Sequence, residues 1–290
     1  NNIIFIANTS WNLYNFRLNI MEEMLKEGYC VYALAPMDKY SIRIERKGIK
    51  YISTTINRNS KNILSNSLLI IRLIIIYRKI KPLIVHQFTI KPVLFGTLAA
   101  RFAGINRIVN SITGLGSAFS RNNILRFFLT TLYRYIFSTK YVQIIFQNPD
   151  DRRFFAENKI GNPEQYHLIY GSGVNTDLFY PKEKKKDNNP ISFALFARMI
   201  MDKGISEFIE AAFFVNKIYP KTEFLIVGGV DPGSASSFSL ESLKKKIIGG
   251  DGAIKWLGHI DDVKNVMTEV DVIVLPSYYN EGVPLSLIEA

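Results

Sequence analysis

Two hydrophobic rhythms alternate along the chain. Short apolar runs bounded by turn residues, at Ile3 to Ala7, Cys30 to Ala35, Lys50 to Ser53, Leu83 to Gln87, Ile108 to Ile112 and Val142 to Gln147, have the length of buried strands. Between them, Leu13, Phe16, Ile20 and Met24 recur at helical spacing and predict a helix closed by Gly28, with further helices near Ile63 to Lys79, Pro92 to Ala103 and Ile124 to Ser138. Repeated units of this kind predict a parallel sheet with helices on both faces. A polar, charged run over 182–190, ending at Pro190, then reads as a linker. After it the alternation restarts, with strands at Ile191 to Ala197, Glu223 to Gly228, Ala253 to Leu257 and Val272 to Leu275, and helices near Ser206 to Ile218, Leu240 to Ile248 and Asp262 to Thr268. The expected fold is α/β with two doubly wound domains, 1–181 and 191–290. Ligands of such sheets bind beyond the carboxyl ends of the strands, so the active site is expected in a cleft between the domains.

Composition narrows the chemistry. With 290 residues, 48% of them hydrophobic, the chain can bury a large core. Its single cysteine, Cys30, rules out an internal disulfide framework and sits in an apolar strand, where thiols are inert. The three histidines are far apart, and Asp150-Asp151 and Asp261-Asp262 read as helix starts, so no protein-held metal is expected. The net charge of +11 points to an anionic partner: nucleic acid, a membrane surface or a phosphorylated substrate. Asn1-Asn2 leads straight into a strand without the pattern of a signal peptide. The run Leu68 to Tyr77 is too short and too basic at its end to span a bilayer.

Three constellations carry candidate chemistry. Arg198, four residues, then Lys203-Gly204 follow the strand ending near Phe196. Two cations fixed there could stabilise a leaving diphosphate, whose charge grows as its bond to a sugar breaks; equally, they could form a solvated basic loop. Gly228 and Gly229 follow the next strand, where glycines permit close backbone approach to a ligand or simply make a turn. The closing stretch Ser277-Tyr-Tyr-Asn-Glu281-Gly282-Val283-Pro284-Leu285-Ser-Leu-Ile-Glu289-Ala290 reads as a strand end, a loop and a helix start whose free amides favour an anion. Glu289, at about 1.5 Å per residue, then lies about 8 to 12 Å from Glu281, the span of a diphosphate between a sugar and a ribose. Both also read as ordinary helix-region glutamates.

In order and spacing, Gly173-Val-Asn-Thr-Asp-Leu-Phe179-Tyr-Pro181, Arg198-x4-Lys203-Gly204, Val227-Gly-Gly229, Trp256-Leu-Gly258-His259 and Pro276-Ser277-x3-Glu281-Gly-Val-Pro284-x4-Glu289-Ala290 resemble the retaining glycosyltransferases of family 4. Trp11-Asn-Leu-Tyr-Asn-Phe-Arg17, Thr89-Ile-Lys-Pro92, Leu98-Ala-Ala-Arg101 and Ile112-Thr-Gly-Leu-Gly116 are similar to the bacterial subgroup that adds sugars to polyprenyl-diphosphate-linked glycans. The resemblance covers essentially the whole chain. It implies the GT-B fold, two Rossmann-like domains facing a cleft, and metal-independent transfer of a hexose or N-acetylhexosamine with retention of configuration. The donor is then a nucleotide sugar of the UDP type and the acceptor a lipid-linked or other saccharide in surface-glycan synthesis, capsule or lipopolysaccharide. It implies that Arg198 and Lys203 hold the donor diphosphate, Glu281 contacts hydroxyls of the transferred sugar and Glu289 the ribose, while the stretch Gly282, Val283, Pro284 and Leu285 cradles phosphate or sugar, through the N–H groups of its non-proline residues. Family members usually have Asp at the position of Asn175 and often His near Thr113. They also continue for several elements beyond the position of Ala290, so the second domain is expected to be shortened here.

The basic, aromatic helices near Ile63 to Lys81 and Arg121 to Lys140 add an expected surface for anionic lipid, and with it a place on the inner face of the bacterial plasma membrane. The competing classes are a transferase with a soluble acceptor, such as a sugar phosphate, and a non-catalytic basic module. No recognition helix, RNA platform or zinc finger supports the latter, and no nucleic-acid partner is expected.

Overall fold

The structure, a computed structural model, describes residues 1–56, 62–115, 123–180, 190–231, 234, 236–248, 252–278 and 283–290. All of the predicted linker except Pro190 lies outside them. The chain forms two compact units, Asn1–Ser172 and a second beginning at Gly173.

In the first unit the apolar runs form parallel strands β1 (Asn2–Ile6), β2 (Cys30–Ala35), β3 (Lys50–Ser53), β4 (Ile84–Phe88), β5 (Ile108–Ile112), β6 (Val142–Phe146) and β7 (Tyr166–Leu168). They line up as β3-β2-β1-β4-β5-β6-β7, so the order reverses between β1 and β4. Successive side chains of β1 point to opposite faces: Ile4 and Ile6 join one core, Ile3 and Phe5 the other. Helices α1 (Ser10–Lys26), α2 (Lys39–Glu45), α3 (Ile63–Ile80), α4 (Thr97–Phe102), α5 (Asn123–Ile136) and α6 (Pro149–Glu157) connect the strands. Asp150 and Asp151 stand in the first turn of α6, where their charge suits the helix dipole.

The face of α1 differs from its expected stripe. Leu13 is buried, but the fully buried line continues through Arg17 and Met21; of the other expected positions, Met24 packs half-buried against the same core, Phe16 is half-buried and Ile20 is exposed. Phe16 stacks edge-on with Trp11 at 5.2 Å between ring centroids, and Ile20 is 40% exposed. An arginine therefore occupies a core position. The predicted helix from Pro92 also differs: it opens as a π-helical turn, Pro92–Gly96, before α4. Gly96 lies against the Gln87 side chain so closely that any Cβ would collide with it. Gln87 Nε2 donates to Thr97 Oγ1 at 3.2 Å, and Thr97 donates to Asn110 Oδ1 at 3.0 Å.

The second unit contains β8 (Ile191–Phe196), α7 (Ile205–Ile218), β9 (Thr222–Val227), α8 (Leu240–Ile247), β10 (Ile254–Gly258), α9 (Lys264–Glu269), β11 (Val272–Ile273) and α10 (Leu285–Glu289). Its strands are parallel in the order β10-β9-β8-β11, which repeats the pattern of β3-β2-β1-β4 around a reversal of its own. Phe179 packs in this unit's core with Phe196, Val227 and Met267, which ties the segment after Gly173 to the second sheet.

One buried group makes the first unit sensitive to acid. His86 lies in β4 with Nε2 2.8 Å from Ser111 Oγ, and burial, helped by nearby Arg17, lowers its pKa from 6.5 to about 3. An unfolded histidine titrates at its ordinary value, so between these limits the unfolded state binds more protons. The stability from neutral His86 is complete above about pH 6.5 and is lost as pH falls toward 3. By NMR, the imidazole of His86 should show no titration between pH 8 and 5; a midpoint near 6.5 contradicts the burial.

Candidate functional site

After β8 the backbone stays paired with the segment following β9: Ala197 N donates to Val227 O and Met199 N to Gly229 O, each at 3.0 Å. This extension holds Arg198 at the carboxyl edge of the sheet. Its Nη1 donates to Asp231 Oδ2 at 2.5 Å, with the arginine side chain 42% exposed and the aspartate 14%. A tight turn, Met201–Lys203, follows, and Lys203 is buried at 8% exposure. Of the two readings of this loop, a solvated basic surface fits Lys203 poorly.

Gly204 closes the turn with φ 74°, a left-handed conformation that side-chain-bearing residues avoid. A Cβ there would collide with the Pro276 carbonyl. Beside this contact the Asp202 carbonyl accepts hydrogen bonds from Tyr278 N at 3.0 Å and Ser277 Oγ at 3.4 Å. The loop after β8 and the loop after β11 are thus bound together at the point where the second sheet's order reverses. Crevices at such points are where open α/β sheets take ligands.

Gly228 and Gly229 shape the same edge from within. Gly228 has φ 149° and sits where any Cβ would collide with the Ala197 carbonyl. Its amide donates to Gly258 O at 2.8 Å and its carbonyl accepts from Trp256 Nε1 at 2.9 Å, so both backbone groups are engaged internally. A Cβ on Gly229 would meet His259 Cβ at 3.2 Å. These glycines let the ends of β8, β9 and β10 converge.

Glu281 and Gly282 lie outside the described residues. Val283, Pro284 and Leu285 are half-buried, and Pro284 caps α10 in an extended conformation, φ −64° and ψ 123°. Glu289 ends α10 among surroundings that push its carboxyl from 4.5 up to about 7 by burial. Asp231, which orients Arg198, belongs to none of the motifs; its signal in the sequence is an acidic residue two positions after Gly229 in a loop rich in small residues.

Comparison with known proteins decides the family. The family described as glycosyl transferase 4-like matches residues 2–148, and glycosyl transferases group 1 matches residues 177–290. The chain belongs to the glycosyl transferase 4-like family. It is a glycosyltransferase, 29% identical over 310 residues to the N,N'-diacetylbacillosaminyl-diphospho-undecaprenol alpha-1,3-N-acetylgalactosaminyltransferase of Campylobacter jejuni, a match covering 99% of this chain and 77% of that protein. A second relative, the UDP-Gal:alpha-D-GlcNAc-diphosphoundecaprenol alpha-1,3-galactosyltransferase of Escherichia coli, is 27% identical over 71% of this chain and 54% of its own length, about half of that relative. Among solved structures, Anabaena HepE in complex with UDP and glucose matches with TM-score 0.77 at 17% identity, covering 100% of this chain and 77% of that one. Sucrose-phosphate synthase from Thermosynechococcus elongatus matches with TM-score 0.76 at 18% identity, covering 99% and 78%. At such identities the structural likeness speaks to fold, and the fold of this glycosyltransferase is GT-B.

The raised pKa of Glu289 makes the glycosyltransferase respond to pH. Because the unfolded carboxyl ionises near 4.5 and the folded one near 7, the folded state binds more protons in between. Stability should therefore fall as pH rises from about 4.5 to about 7 and level off above. Thermal melts of the Glu289→Gln variant should lack that decline; parallel profiles for variant and native chain would contradict the assignment.

Proposed function

We propose that this glycosyltransferase moves a hexose or N-acetylhexosamine from a UDP-sugar to a saccharide carried on a polyprenyl diphosphate, with retention of configuration. The observation that carries the donor half is the joining of the Arg198 to Lys203 loop to the loop after β11 at the reversal of the second sheet. On this reading the donor diphosphate lies against Lys203 and Arg198. Bond breaking concentrates charge on the leaving phosphate, and cations fixed before the reaction stabilise that charge without reorganising. Asp231 holds the guanidinium in place. Glu281 takes hydroxyls of the transferred sugar, Glu289 the ribose, and the N–H groups of Gly282, Val283 and Leu285, on either side of Pro284, the phosphate or sugar. The acceptor attacks the face from which the nucleotide departs, and the protein's contribution is position and electrostatics.

The acceptor half is supported by the names of both relatives, which specify a sugar on diphospho-undecaprenol. It is supported also by the outer surface of the first unit. Ile63, Leu64, Leu68, Ile71 and Ile75 of α3 are all more than half exposed, at helical spacing. Phe127 and Phe128 of α5, a helix that packs on the same core as α3, are exposed as well. Neither helix contains an aspartate or glutamate, while Arg72, Arg78 and Lys79 are exposed on α3. An apolar stripe bordered by cations suits the anionic inner surface of a bacterial membrane. Among the described residues no helix is long and apolar enough to cross one.

Two measurements test the two halves. UDP at about 100 times its dissociation constant should stabilise the chain by about 2.7 kcal/mol, and Lys203→Ala should abolish the shift whatever its own melting point. Stabilisation that survives the substitution removes Lys203 from the donor site. Leu68→Glu with Ile71→Glu should release the protein from phosphatidylglycerol vesicles in sedimentation; equal binding by both forms places the membrane contact elsewhere.

A further inference from the structure

Arg17 is unusual among the cations of this chain. It lies on the buried stripe of α1, between Leu13 and Met21, and is 8% exposed. Long helical side chains lean toward the helix N-terminus. That lean carries the guanidinium to the carboxyl end of β4, where it rests 4.3 Å from the centre of the Phe88 ring. Nη1 donates to Ser172 Oγ at 3.0 Å, and Nε has no acceptor among the described residues. No described carboxylate pairs with it. Its titratable neighbour His86 is held neutral, in part by Arg17 itself. Burial lowers the pKa of Arg17 to about 10, which leaves it cationic at neutral pH.

A buried cation with a neutral neighbour, a ring and a single hydroxyl is a poor structural choice, because its desolvation is not offset. A second irregularity lies one residue beyond the Phe88 ring that Arg17 faces. Thr89, the residue after Phe88, has φ 69°, a strained conformation for a β-branched side chain, and its Oγ1 is buried without a partner among the described residues. Both features sit at the reversal between β1 and β4, where a parallel sheet opens a crevice.

We propose that Arg17, with the Thr89 hydroxyl, forms a phosphoryl-binding subsite for the diphosphate of the lipid-linked acceptor. This rests on the transferase reading above. The reaction then contains two diphosphates; the donor's belongs with Arg198 and Lys203 in the second unit, which leaves the acceptor's for the cation of the first. A guanidinium with open N–H donors matches phosphate oxygens in pairs, and binding supplies the counter-charge that the fold withholds.

The test uses the whole chain saturated with UDP, so that the donor site is filled, titrated calorimetrically with farnesyl diphosphate and with inorganic diphosphate. Farnesyl diphosphate should bind, and Arg17→Gln should weaken it by about tenfold or more while Arg17→Lys weakens it less. UDP affinity should be the same in all three proteins, a result that a general structural defect would not give. Without ligand, Arg17→Met should melt no lower than the native chain, since an uncompensated charge is gone. Unchanged farnesyl diphosphate affinity in Arg17→Gln overturns the subsite. Equal binding of inorganic diphosphate, dependent on Arg17, overturns the acceptor assignment in favour of a general anion site. Failure of the native chain to bind UDP overturns the transferase reading instead, and is seen before any prenyl diphosphate is added.

Discussion

The structure of the second unit turns on one steric constraint, the absence of a side chain at Gly204. With φ 74° and no Cβ, this residue lets the Pro276 carbonyl approach the end of the Met201–Lys203 turn. Asp202 can then accept hydrogen bonds from Ser277 and Tyr278. That contact joins two loops far apart in sequence and brings a buried lysine to the reversal point of the sheet. Gly228 does the same on the other side, allowing β9 to crowd against Ala197 and β10. The glycines act through packing, and any ligand chemistry follows from the edge they shape.

Much of this was legible in the sequence. Runs such as Ile3 to Ala7 and Cys30 to Ala35 are strands because apolar residues in blocks of this length can be buried on both faces of a parallel sheet. The spacing from Arg198 to Lys203 placed two cations at a strand end, and they are there. Short elements escaped: α2 and β7 carry too few residues for a period to show. On α1, Phe16 and Ile20 offer by spacing as good an apolar line as Leu13 and Met21, so spacing alone does not identify the buried one. A pattern that expects apolar residues inside could not place Arg17 in the core. The pairing of Arg198 with Asp231 and the burial of Glu289 depend on tertiary contacts that no spacing encodes.

The two units use charge differently. In the second, one cation is steadied by a carboxylate and another is buried at a loop junction. In the first, cations border an apolar stripe on α3, and one arginine is enclosed without a counter-ion among the described residues. Among the described residues, the cations that contribute to the net charge of +11 thus include exposed ones on α3 and paired or buried ones, Arg198, Lys203 and Arg17.

On the transferase reading, a nucleotide diphosphate binds where the loops after β8 and β11 meet. Hydrogen–deuterium exchange with and without UDP tests it most directly. UDP should slow exchange at the amides of the loop from Arg198 to Gly204 and at those running from Pro276 into α10. Protection confined to the first unit, with these two loops unchanged, would contradict it.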